Sequence, residues 1–151
     1  MKLAEALLLR SEYVNKIDTL HQRVIQNVKV QEGDSPTENP EELIREIFAL
    51  SGEVHALINK INRKNMETEL SDGRTLAEAI CEKDSLIKKR RILENIVMAA
   101  SQRDPRLTHS EIKMKTVVSL SELQKQIDSL SKEYRILDAK IQACNWTVEF
   151  E

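Results

Sequence analysis

The chain has 151 residues, enough for one domain that buries a real core. Charged residues make up 32% and aromatics 3%, a balance that suits long solvated helices built on Leu and Ile and argues against a sandwich or a ligand-lined α/β fold. The formal net charge of −2 supplies no global field toward nucleic acid or acidic lipid.

Met1 to Arg10 resembles a signal peptide only on the surface. Glu5 breaks its apolar run, Arg10 closes it, and no small-residue cleavage site follows. It reads as the start of an amphipathic first helix over 2–27, with Leu3, Ala6, Arg10, Tyr13, Ile17, Leu20, Val24 and Asn27 at heptad positions. Six of these eight suit a core; Arg10 and Asn27 do not. No run approaches the roughly 20 apolar residues needed to span a bilayer, so the expected location is the cytoplasm. Lys29 to Asn39 is polar, contains Gly33 and Pro36, and reads as a loop.

The second helix is predicted over 40–64. Asn39 is placed to cap it, Pro40 fits its first position, and Glu42 completes a capping-box-like start. Its stripe is Leu43, Ile47, Leu50, Val54, Leu57 and Ile61, widened by Ile44, Phe48 and Ile58. Residues 66–70 have strand character, and Ser71-Asp72-Gly73 is a turn signal. Thr75 and Glu78 form a second capping box before a third helix over 76–100. Ser101 to Ser110 reads as a polar loop around Asp104-Pro105. The period-two series Ile112, Met114, Thr116, Val118 then predicts a half-buried strand over 112–118. Ser119 and Glu122 cap the last helix.

That helix, over 120–144, carries the cleanest pattern. Leu120, Leu123, Ile127, Leu130, Tyr134, Leu137, Ile141 and Cys144 form an unbroken heptad stripe, followed by a strand-like tail over 146–150. Asn65–Leu70 and Asn145–Phe150 share the order Asn, three residues, Glu, large apolar residue. This echo fits two related helix-then-strand units and equally fits coincidence in short segments.

Chemistry is sparse. A carboxylate-bridged metal site in a helical bundle needs two Glu-x-x-His pairs. The nearest match is the single Asp18-x-x-His21, while His55 follows Gly52 at that spacing and His109 falls in a loop. Cys144 sits on the apolar stripe and reads as an inert thiol. Cys81 lies near a helix start with no flanking histidine, and two distant thiols make no disulfide framework. Gly33, Gly52 and Gly73 are too far apart for a phosphate loop. Lys88-Lys89-Arg90-Arg91 points around the helix in several directions, beside Glu82, Asp84 and Glu94 and without interleaved aromatics. It reads as an ion-paired or solvated face and not as a nucleic-acid surface. Arg10, Lys83 and Arg90 occupy inner positions, where they fix register or oligomer state or line a polar pocket. Arg74 follows the turn, where it serves the helix cap or faces a partner, and Trp146 is expected to pack the terminal strand against the helices or to anchor an interface.

Six stretches together resemble the septicolysin-like family of small bacterial proteins, over essentially the whole chain. They are Met1-Lys2-Leu3-Ala4-Glu5-Ala6-Leu7, Val30-Gln31-Glu32-Gly33, Ile61-Asn62-Arg63, Asp72-Gly73-Arg74-Thr75-Leu76, Leu123-Gln124-Lys125 and Asn145-Trp146-Thr147. The resemblance implies a membrane-active, cytolytic protein and carries over no catalytic residue.

The expected fold is mainly α: an antiparallel four-helix bundle, or long coiled-coil hairpins that complete their core between subunits. It forms one domain over 1–151, with a small three-stranded β-sheet at one end from 66–70, 112–118 and 146–150. The expected role is a non-enzymatic assembly or interaction protein that acts as a homo-oligomer through the stripes of its second and fourth helices. No cofactor, metal or nucleic acid is called for. The candidate polar-core or subunit-contact residues are Arg10, Lys83, Asp84, Arg90, Arg74 and Trp146. The alternatives are a septicolysin-type membrane-active protein and a bundle metal protein or enzyme built on Asp18 and His21.

Overall fold

The computed structural model describes residues 1–102 and 114–151. Four helices follow in order: α1 (Leu3–Asn27), α2 (Pro40–Glu67), α3 (Leu76–Ser101) and α4 (Leu120–Thr147). They belong to two compact units, one of Met1–Leu76 with Gln142–Glu151, the other of Ala77–Ile141.

In the first unit α1 and α2 form an antiparallel hairpin. Leu20, Val24, Leu43 and Leu50 are buried along its seam, with Tyr13, Ile17 and Ile47 packed against them. The loop side of the hairpin is closed by polar groups. Arg23 clamps Glu38 through two side-chain hydrogen bonds, the Nε one at 2.9 Å. Asn27 donates to the Arg23 carbonyl at 2.8 Å and accepts the Glu38 N–H at 3.1 Å. An Asn that looks misplaced on a heptad stripe thus turns the chain back. Asn39 caps α2 by accepting the Glu41 N–H at 3.0 Å, and Pro40 occupies its first turn.

The second unit is also an antiparallel hairpin, of α3 and the body of α4. Lys83 on α3 pairs with Asp138 on α4 at 3.1 Å, and the Arg90 guanidinium lies 5.6 Å from the ring centre of Tyr134. Ser119 caps α4 by accepting the Glu122 N–H at 3.3 Å.

No sheet forms among the described residues, which corrects the three-stranded expectation. Within 66–70 the helix α2 runs on to Glu67, and Glu69 makes an isolated bridge to Thr75 across the Ser71-Asp72-Gly73 turn. Gly73 supplies the positive φ of +85° that this turn requires. Of 112–118, residues 112 and 113 lie outside the described residues. Residues 114–118 have no strand assignment, and Met114 and Val117 are exposed. Alternation marks a half-buried strand only where a neighbour completes the ladder. Within 146–150 the first two residues are the last turn of α4, and Glu149 bridges Lys2. The tail therefore pairs with the chain's own beginning: Leu3 donates to the Val148 carbonyl at 3.0 Å and Phe150 to the Met1 carbonyl at 2.7 Å.

These two junctions are the same structure built twice. Leu76 donates to Thr68 at 2.7 Å as Leu3 does to Val148, and Leu70 donates to Arg74 at 2.8 Å as Phe150 does to Met1. The echo in the sequence is thus a repeat, and it extends through the hairpins. A shift of 73 matches Leu3-Ala4-Glu5-Ala6 with Leu76-Ala77-Glu78-Ala79, and Lys16, Leu20 and Val24 with Lys89, Leu93 and Val97. A shift of 80 matches Glu42, Leu43, Ile47, Leu50 and Ser51 with Glu122, Leu123, Ile127, Leu130 and Ser131. The same shift matches Glu53, Leu57, Lys60, Ile61, Asn65 and Glu69 with Glu133, Leu137, Lys140, Ile141, Asn145 and Glu149. The chain is a helical hairpin in tandem, and the start of each repeat pairs with the end of the other.

Two outcomes test this junction. Lys2 hydrogen-bonds Glu149 and holds its carboxyl below the usual carboxylate range. A carboxylate lowered on folding stabilises above its unfolded-state pKa, and that contribution is lost as pH falls through the folded-state value. Wild type is therefore expected to melt higher than Glu149→Gln at pH 7, the gap closing in acid; a gap independent of pH would remove the ion pair from the account. In a second experiment the chain is opened within Ser71-Asp72-Gly73, and Phe150 is joined to Met1 through the same three residues. This permutant is expected to keep its helix content and to melt within about 5 °C of wild type. Loss of the fold on circular dichroism would contradict the equivalence of the two junctions.

Candidate functional site

The repeat provides an internal reference. Where its second copy departs from the first, packing alone does not dictate the residue.

Asp138, Arg90 and Tyr134 are such departures, whereas Lys83 keeps a cation that the first repeat also has. Lys83 is the counterpart of Arg10, which is half-buried on α1. Facing Lys83 is Asp138, where the first repeat has Ile58. Arg90 replaces Ile17, and Tyr134 replaces Val54. The Arg90 Nε is buried and has no hydrogen-bond partner; the Glu94 carboxylate one turn on is 3.7 Å away, too far to bond. The second hairpin therefore holds a polar layer, Lys83–Asp138 then Arg90–Tyr134, across the seam where the first has Arg10 beside the aliphatic Ile58, Ile17 and Val54. Asp84 is exposed and stands beside this layer, not in it.

Two other sequence candidates have local roles. Arg74 folds back on Asp72, with Nη2 to Oδ2 at 2.6 Å and Nε to Oδ1 at 3.2 Å, and so braces the turn. Trp146 lies in the last turn of α4 and is 54% exposed, so it does not pack a terminal strand against the helices. Asn145 takes the buried position beside it, because the helix continues further than the strand-like composition suggests.

No group of three or more His, Cys, Asp or Glu side chains suited to a metal comes together among the described residues. Asp18 and His21 are both exposed on α1, and His109 lies outside the described residues. Cys81 is exposed; burial pushes the Cys144 thiol up, which keeps it from the thiolate form a nucleophile needs. No described helix is long and apolar enough to cross a membrane.

The remaining feature is a face that the sequence reading did not single out. Ile92, Leu93, Leu130 and the stem of Lys89 line an open groove of about 390 Å³ on the second hairpin, with Gln126 and Ser129 on its α4 side. The first repeat has the same leucines, Leu20 and Leu50, at the floor of this face and Ala49 for Ser129, but its rim is more polar. It has Thr19 for Ile92, Arg23 for Ile96 and Glu46 for Gln126, with Arg23 bound to Glu38 and Glu46 bound to Lys16 at 3.3 Å. The second repeat keeps the lysine as Lys89 and lacks the carboxylate. The signal was present in the sequence, but only as a difference between aligned repeats.

The chain belongs to a family of unknown function, DUF6847, whose model matches residues 10–150. It is 40% identical to a functionally unknown conserved protein from Corynebacterium diphtheriae of known crystal structure. That alignment covers 100% of this chain and 99% of the other, with a TM-score of 0.90. No curated protein matches the chain. The septicolysin resemblance is thereby corrected, since neither the family nor the crystal structure links this chain to septicolysins. Two of the stretches that carried it recur within the chain itself, Leu3-Ala4-Glu5-Ala6 as Leu76-Ala77-Glu78-Ala79 and Asn145 at the position of Asn65.

The polar layer gives a test. Restoring the first repeat's residues with Arg90→Ile and Tyr134→Val together is expected to leave the melting temperature unchanged or higher, because it removes a buried unbonded donor. Tyr134→Val alone, which leaves Arg90 without its ring, is expected to cost about 1 kcal/mol. A double variant less stable than the single one would show that the layer supports the fold.

Proposed function

We propose that this DUF6847 protein is a non-enzymatic assembly protein that acts as a homo-oligomer through helix–helix packing. One contrast carries the reading. Leu20, Val24, Leu43 and Leu50 are buried in the first hairpin, and their identical counterparts Leu93, Val97, Leu123 and Leu130 are only half-buried in the second. Between Leu86 and Leu137, Ile127 is the one fully buried apolar residue among those described. The same side chains on the same seam thus leave apolar area in water. Completing the burial of a leucine is worth roughly 1.5–3 kcal/mol over full exposure, and half-buried seams gain a good part of that when another pair of helices covers them. A four-helix bundle completed between chains, expected from the stripe of the last helix, meets this need. Two free thiols and an absence of any apolar spanning helix among the described residues accord with a cytoplasmic location.

Solution mass by light scattering tests this reading directly. One oligomer of fixed stoichiometry is expected at micromolar concentration, persisting at high salt because apolar packing dominates. A monomer throughout that range would overturn it.

A further inference from the structure

We infer that the groove on the second hairpin receives the same face of a second copy, across a two-fold axis parallel to the helices. α3 of each chain then lies over α4 of the other. This deepens the self-association proposed above and rests on it.

The face is self-complementary in that arrangement. On the antiparallel hairpin that Lys83–Asp138 spans, Lys89, Ile92 and Ile96 follow one another along one face of α3 at helical spacing, and Glu133, Ser129 and Gln126 run the opposite way along α4. Ile92, Leu93 and Ile96 make the α3 side apolar, while the α4 side adds Leu130 to the smaller or polar Ser129 and Gln126. A two-fold axis along the helices brings each set over the other, so Ile92 seats on the partner's Ser129 and Lys89 meets the partner's Glu133. Neither Lys89 nor Glu133 forms an ion pair within the chain among the described residues. In the first repeat the matching lysine, Lys16, is already held by Glu46. Loss of that carboxylate in the second repeat leaves Lys89 available to another chain.

Elsewhere Phe48 is exposed on α2 with Ile44 one turn before it, and this is the competing apolar face that the test includes.

The test uses full-length variants whose fold is checked by circular dichroism. Lys89→Glu alone and Glu133→Lys alone each place like charges across the interface and are expected to weaken dimerisation about tenfold or more. Mixed in equal amounts, the two variants have only opposite charges at both contacts, and the dimer is expected to return. The double variant should dimerise like wild type, Ile92→Ser should shift the mass to monomer, and Phe48→Ser should not. If wild type is a dimer but the charge variants and Ile92→Ser keep its mass, this face is wrong while self-association stands. If Phe48→Ser releases monomers, the interface belongs on α2. If wild type is itself a monomer, both proposals fall.

Discussion

Two helices give each other one line of contact, and everything else in this chain follows from that limit. A heptad stripe laid against a single partner is covered on one side and remains wet along its flanks. The first hairpin meets the limit within its own chain. Asn27 turns the loop, Arg23 holds Glu38 at its edge, and Leu20, Val24, Leu43 and Leu50 close behind them. The second hairpin carries the same four apolar residues and leaves them ajar. Identical side chains in different states of burial separate what the seam requires from what its surroundings provide.

The polar layer of the second hairpin is the other half of that difference. Arg90 over Tyr134 and Lys83 against Asp138 stand where the first repeat has Ile17, Val54 and Ile58, with Arg10 matching Lys83. Ion pairs at seam positions seldom add stability over aliphatic packing, and the unbonded Nε of Arg90 adds a cost. Their attested use is to fix register. A hairpin that must present one face to a partner at one height needs its two helices locked against sliding, and a charged pair across the seam does this where leucines would tolerate a shift.

Much of the helical fold was legible in the sequence, because heptad spacing and caps are local. Asn39 with Pro40 and Ser119 announce the starts of α2 and α4. The expected strands failed for a related reason. Val148, Glu149 and Phe150 have strand-like composition, but a ladder needs a partner at a distance that composition does not encode. Here the partner of the tail is Lys2, at the other end of the chain. The strand-packing role expected of Trp146 fell because a helix end was placed three residues early; its other expected role, anchoring an interface, concerns a residue that the structure leaves exposed. Among the site candidates, Lys83 and Arg90 were visible as charges out of pattern, whereas the groove was not: Ile92 and Ile96 are unremarkable on an isolated helix. They become informative only beside Thr19 and Arg23.

That comparison depends on the exchanged ends. Each repeat begins by pairing with the other's last residues, so neither junction is completed by one hairpin alone. A single hairpin with this sequence logic would leave its first and last residues unpaired and its apolar face open, and two copies would satisfy both. Tandem fusion makes that pairing internal at the junctions. It also frees the repeats to diverge, so that the first closes its seam with Arg23, Glu38 and Asn27 while the second exchanges Glu46 for Gln126 and Arg23 for Ile96. Divergence that removes charge from one outer face of one copy, while Leu20, Val24, Leu43 and Leu50 recur on the seam as Leu93, Val97, Leu123 and Leu130, is the pattern expected when that face is covered by another chain.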